Sequence, residues 1–192
     1  MNSSSMRIRQ RGVTLVETAV VMTIAAVLFT QAAPLFSNWI GNSQTRTSAE
    51  SILNGMQLAR AEAIRRNRMV QIDFTEGTLS SWSVGCSNPV DNGTAGVDDP
   101  GDCLPVIRAR PAAESSNQPQ LAMQPAESTT LTFDSLGRIA GNVDGSATPT
   151  AIDLTNPGVN ESERRTLRLV LGIGGDVRMC DPAIAATDPR GC

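Results

Sequence analysis

Hydrophobic and polar positions divide this chain into three stretches. A short basic, Ser-rich opening gives way to a run from Val13 to Phe36 that is apolar almost throughout. About two dozen apolar residues, at 1.5 Å per residue, are enough to cross a bilayer core of ~30 Å. Only Glu17 breaks the run near its start, and a carboxylate inside a membrane costs roughly 3 kcal/mol or more, so it needs a partner or a purpose. From Thr45 the pattern changes. Ala49, Ile52, Leu53, Met56, Ala59, Ala63 and Ile64 recur at three-to-four spacing, while Arg46, Glu50, Arg60, Glu62 and Arg66 fall largely elsewhere. That is the stripe of an amphipathic helix packed on a sheet, with Glu62 and Arg66 forming a favourable i,i+4 pair. One helix from about Thr14 to Asn67 is expected, kinked where Pro34 removes a hydrogen bond, with a second soft point at Gly41-Asn42.

Beyond Asn67 the period becomes two. Val70, Ile72 and Phe74 alternate with polar residues up to a turn at Glu76-Gly77, and Trp82, Val84 and Cys86 form a second alternating run. Further strands are predicted at Leu104–Ile107, around Leu131 and Phe133, and at Ala151–Leu154. Residues 87–101, 111–128 and most of 141–163 read as loop. The clearest hairpin comes last: Leu167, Leu169, Leu171 and Ile173 alternate, Gly174-Gly175 turns, and Val177 and Met179 return.

Composition narrows the chemistry. The chain has 192 residues, 16 arginines, no lysine and no histidine. Without His, the commonest general base and metal ligand are missing, and no nucleophile–base pattern stands out; an enzyme is not expected. No cofactor or metal is expected. Asp91, Asp98, Asp99 and Asp102 share one Gly-rich loop and could hold calcium, but their spacing is not that of an EF-hand, and clustered loop acids are usually just solvated. Net charge is −3 and becomes about −6 without Arg7, Arg9 and Arg11, so bulk charge does not point to nucleic acid. Basic residues before the apolar run keep the N-terminus cytoplasmic and send the rest outward. Four cysteines at wide spacing then read as two disulfides in an oxidising compartment. Of three pairings, Cys86–Cys103 with Cys180–Cys192 is preferred because each closes a turn-rich loop; such loops contribute on the order of 3 kcal/mol each.

Arg11-Gly12, an apolar run, Glu17 at the fifth position after Gly12 and Pro34 together resemble the type IV pilin and pseudopilin signature. Val13 stands where the family usually has Phe or another large residue. Further along, Leu58 to Asn67, Trp82 to Cys86, Leu131 to Arg138 and Val177 to Pro182 with the terminal Cys192 resemble the GspH/FimT family of minor pilins. The resemblance implies an α+β, pilin-like fold: a long kinked N-terminal helix packed on a mostly antiparallel sheet. It implies a leader over 1–12 (starting at Met1 or Met6), a membrane and assembly segment over 13–36, and a periplasmic domain over 37–192. It also implies a prepilin peptidase cut between Gly12 and Val13, methylation of Val13, storage in the bacterial inner membrane, and assembly with other pilins governed by Glu17 and Pro34. The expected role is a minor pilin supporting pilus assembly, motility, adhesion or DNA uptake, with a GspH-type pseudopilin of type II secretion as the alternative. Some FimT proteins bind DNA through a Gly-Arg-x-Arg motif. Here Gly175 and Arg178 match but Asp176 replaces the first arginine, and a carboxylate repels phosphate, so DNA binding is not favoured.

Overall fold

The computed structural model describes residues 12, 14–74, 81–90, 102–111 and 119–192, with side chains omitted at 31–35. The chain divides into two compact units, Met1–Ser37 and Asn38–Cys192. A single helix, α1 (Leu15–Arg66), contributes to both. The expected turn at Glu76-Gly77 lies outside the described residues.

Among the described residues nine strands follow: β1 (Val70–Asp73), β2 (Trp82–Cys86), β3 (Arg108–Arg110), β4 (Gln120–Gln124), β5 (Thr130–Phe133), β6 (Ile139–Ala140), β7 (Ala151–Thr155), β8 (Leu167–Leu171) and β9 (Val177–Cys180). They form two sheets, ordered β3-β2-β1-β5-β6 and β4-β7-β8-β9. Each strand pairing is antiparallel. The fold is therefore α+β, a long N-terminal helix with antiparallel sheets, as the sequence leads one to expect; the β-structure is split in two rather than continuous.

In the second unit, one stripe of α1 is buried. Asn38, Gly41, Thr45, Ser48, Ile52, Met56, Ala59, Ala63 and Arg66 follow one another at three-to-four spacing and are all buried. Its apolar middle joins a core with Val70, Ile72, Val84, Leu131 and Phe133 of the first sheet and Ile152, Leu154 and Leu169 of the second. Burying a side chain such as Ile52 or Met56 contributes roughly 1.5–3 kcal/mol. The helix lies close to the first sheet at Gly55, where a Cβ would sit 3.0 Å from both Ile72 Cδ1 and the Trp82 ring. Its end is a Schellman cap: Asn67 takes a left-handed φ of 50°, Asn67 N–H donates to Ile64 O (3.3 Å) and Arg68 N–H to Ala63 O (3.2 Å).

Four expectations need correction. The strand expected at Leu104–Ile107 forms instead at Arg108–Arg110. Leu104 and Ile107 do hydrogen-bond to β2 (Cys86 N–H to Leu104 O, 2.9 Å; Ile107 N–H to Val84 O, 2.7 Å). Between them Pro105 has no N–H for a ladder, and its carbonyl presses against Gly85, where no side chain would fit. Second, β4 occupies part of the expected loop 111–128. Its Leu121 and Met123 alternate inward between exposed Gln120, Ala122 and Gln124, a period-two signal too short to register among polar neighbours. Third, the last hairpin does not turn on two glycines. Leu171 pairs with Val177, and the loop runs from Gly172 to Asp176, closed by Gly172 N–H to Asp176 O at 2.9 Å; Ile173 points outward, 87% exposed. Fourth, Arg66 lies on the buried stripe and not on the polar face.

Candidate functional site

In the first unit, Thr14 starts the helix. Its hydroxyl accepts the Glu17 N–H at 3.2 Å, so Thr14-x-x-Glu17 has the spacing of a capping box as well as of an assembly signature. That capping role of Thr14 was missed in the sequence, although the four-residue pattern signals it. The hydroxyls of Thr18, Thr23 and Thr30 donate back to carbonyls of the same helix, so these polar groups are satisfied without water. The large apolar side chains are uncovered: Leu15, Val16, Met22, Leu28 and Phe29 are all exposed, Phe29 at 74%. Glu17 is exposed among them, and its carboxylate has no ion-pair partner among the described residues. Gly12 is exposed, non-helical backbone; Val13 and the leader arginines lie outside the described residues. Pro34 lies within α1, but its side chain is outside the described set. Among the described residues no helix is long and apolar enough to cross a membrane; the run expected to do so continues into residues 31–35.

In the second unit, polar contacts fasten both ends of the buried stripe. At its start, Asn156 Nδ2 donates to Gly41 O (3.2 Å), Asn38 Oδ1 accepts from Asn160 N–H (3.3 Å), and Asn42 bonds Glu163 O and Arg165 N–H. The segment after β7 is thereby strapped to the helix. At its end, the fully buried Arg66 side chain pairs with Glu62 at 2.7 Å and donates to Asp102 O, beside Cys103. Burial pushes the Glu62 carboxyl up, but hydrogen bonds and charge from Arg65 and Arg66 outweigh it and hold the pKa below its ordinary value. Cys86 and Cys103 are bonded (Cα–Cα 5.5 Å), tying the Asp102 segment to β2. Arg60 donates to Gly175 O (3.1 Å) and Gly174 O (3.2 Å), anchoring the last hairpin to the helix.

The arginines near Arg178 do not combine into a free basic patch. Arg178 is exposed on β9, opposite Val170. Arg168 is bound by Asp153 through two bonds of 2.6 and 2.7 Å, which raises its pKa further. Arg164 donates to Pro157 O and Val159 O within its own loop. Gly175 is buried at φ 80° against the Gly137 carbonyl, and Asp176 is exposed beside it. The tail folds back onto β9: Cys180 bonds Cys192 (Cα–Cα 5.2 Å), and Asp181 N–H donates to Arg190 O at 2.8 Å. Arg190 holds the Asp188 carboxyl down to about 2. Asp91, Asp98 and Asp99 lie outside the described residues, and Asp102 is buried; among the described residues no group of three or more metal-ligating side chains forms.

The sequence profile of the family described as type II transport protein GspH matches residues 48–175, and the prokaryotic N-terminal methylation motif matches residues 7–30. No curated protein matches the chain. Among solved structures, the type IV minor pilin FimU of Pseudomonas aeruginosa is similar in two crystal forms. The first is 17% identical, with 76% of this chain and 95% of that chain covered and a TM-score of 0.43. The second is also 17% identical, covering 74% and 98%, with a TM-score of 0.44.

Proposed function

The chain belongs to the GspH family, and on that premise we propose that it is a minor pilin, a low-abundance structural subunit of a type IV pilus. One observation carries the reading: a methylation motif and a GspH domain share a single helix, whose first part exposes its apolar side chains and whose second part buries them. Exposed side chains such as Leu15 and Phe29 need cover from outside the chain, and membrane lipid followed by neighbouring helices would supply it in turn. In this reading a prepilin peptidase cuts between Gly12 and Val13, Val13 is N-methylated, and the inner membrane holds the subunit until it is extracted. Glu17 then meets the new N-terminal amine of a neighbouring pilin, a pairing worth most where water is excluded. Pro34 bends the helix between its two settings. The GspH domain is then periplasmic, and its role is structural and not catalytic. DNA contact through Arg178 is not favoured, because Asp176 stands beside it and the side chains of Arg164 and Arg168 are engaged.

A second reading, a pseudopilin of a type II secretion system, is favoured by the description of the matched family itself. Both readings share the processing step, which mass spectrometry of the mature protein tests: the expected N-terminus is N-methylated Val13, and an intact leader or a cut after Ala33 contradicts it. Deleting the gene separates the two readings. Loss of surface pili or twitching supports the first, and loss of a secreted enzyme with pili intact supports the second.

A further inference from the structure

Where the second unit begins, α1 is poorly suited to stay wound. Gly41, Asn42 and Ser43 are consecutive weak helix formers, and Asn38 lies one turn earlier. Glycine frees the backbone, and Asn and Ser side chains compete for its hydrogen bonds. These residues nonetheless lie inside one unbroken helix.

The segment between β7 and β8 meets the helix at this stretch. Asn156, which is buried, donates to the Gly41 carbonyl at 3.2 Å and to Gln44 Oε1 at 3.3 Å. Asn160 N–H donates to Asn38 Oδ1 at 3.3 Å. Asn42 donates to Glu163 O at 2.9 Å and accepts from Arg165 N–H at 3.0 Å. The segment is itself held in shape. Asn156 Oδ1 accepts the Gly158 N–H at 2.9 Å, Glu163 N–H donates to Asn160 O at 2.9 Å, and Arg164 donates to Val159 O at 3.1 Å.

Packing explains why so weak a residue stands at position 41. Val159 is buried against it, and a Cβ on Gly41 would lie 2.3 Å from Val159 Cγ2 and 3.3 Å from Asn156 Nδ2. The residue that weakens the helix is therefore the one that lets the segment seat on it.

We propose that residues 156–165 are a helix clamp, which holds α1 wound between Asn38 and Thr45 where the helix's own residues would let it open. Local opening is governed by the contacts a stretch makes, and here the tertiary contacts replace the missing propensity. Asn156 and Val159 act as positioning residues: the first supplies donors to the helix, and the second fixes the approach. The inference stands apart from the choice between pilus and secretion roles.

The test is hydrogen–deuterium exchange of the full-length chain in detergent micelles, resolved along α1. Asn156→Ala should speed amide exchange at least tenfold over residues 41–47 and leave residues 56–63 unchanged. Asn42→Ala, at a half-buried position, should act in the same direction. Gly41→Ala tests the sign of the effect. On helix propensity alone, alanine slows exchange here. A clamp that cannot seat makes exchange faster instead, and adding Val159→Ala, which makes room, should bring it back towards wild type. Wild-type exchange in both asparagine variants overturns the proposal, as does slower exchange in Gly41→Ala. Equal acceleration over residues 56–63 also overturns it, because the segment would then support the domain as a whole and not this stretch of helix.

Discussion

The two parts of α1 are built from similar apolar residues and treat them in opposite ways. Before Thr30, Val16, Val20, Ile24 and Val27 are all more than half exposed, and polar threonines turn back onto the helix's own carbonyls. After Asn38, Ile52, Met56 and Ala59 are buried, and Asn38, the Gly41 carbonyl and Arg66 at the ends of the stripe bond to segments outside the helix. A globular protein gains nothing by leaving one side of the comparison uncovered, so cover must come from other molecules. Within one helix, the first part reads as a surface for assembly and the second as a structural member of its own domain.

Substitutions can break this comparison at either end. The largest effect is expected for Arg66→Met. It strips the Asp102 carbonyl of its buried donor and leaves Glu62 with only the more exposed Arg65, and breaking a buried pair costs up to about 3–5 kcal/mol. Denaturant unfolding of the full chain in detergent, followed by Trp82 fluorescence, measures it. Next is the paired test of Ile52→Ala against Val20→Ala. The first should cost about 2–5 kcal/mol through a core cavity, and the second should lie within about 0.5 kcal/mol of wild type. Equal losses would mean that the first part of the helix is also packed by its own domain.

A smaller effect should appear with pH. The Glu62 pKa is lowered in the fold, so the unfolded chain takes up the proton first. The stabilisation is therefore complete above the ordinary glutamate value of 4.5 and is lost as pH falls through the lower folded value. Between about pH 5 and pH 3 the unfolding midpoint of wild type should fall more steeply than that of Glu62→Gln. Parallel curves would show that the Arg65 and Arg66 contacts do not act on this carboxylate.

Much of the comparison can be read in the residues. The three-to-four recurrence from Ala49 to Ala63 marks the core-facing side of the helix, and the alternation at Val70–Phe74, Trp82–Cys86 and Leu167–Leu171 marks strands, because each pattern has the period of its element. What escapes is polarity that becomes buried. Asn38, Thr45, Ser48 and Arg66 extend the stripe at both ends, but their type suggests exposure; Asn38 and Arg66 are satisfied by distant Asn160 and Asp102, and Thr45 by the Gly41 carbonyl of its own helix. Gln-flanked β4 escapes for the same reason: two inward residues carry too little signal without the β7 ladder beside them. Apolar content alone also misleads at Leu104–Ile107, where Pro105 interrupts the ladder and pairing resumes with the arginines of β3. The cap that Thr14 places on the Glu17 N–H is visible in Thr14-x-x-Glu17, while the uncovered apolar surface around it needed the structure.

The measurement that bears most directly on an assembly role for the exposed part of α1 is incorporation of Glu17→Ala. Filaments are sheared from cells expressing wild type or the variant, and the chain is quantified in the filament and inner-membrane fractions. The expected result is a processed variant that stays in the membrane, depleted at least tenfold from filaments, with Thr14→Ala far less affected. Wild-type incorporation of Glu17→Ala would contradict the account, and loss of both variants alike would trace the effect to the start of the helix rather than to the Glu17 carboxylate.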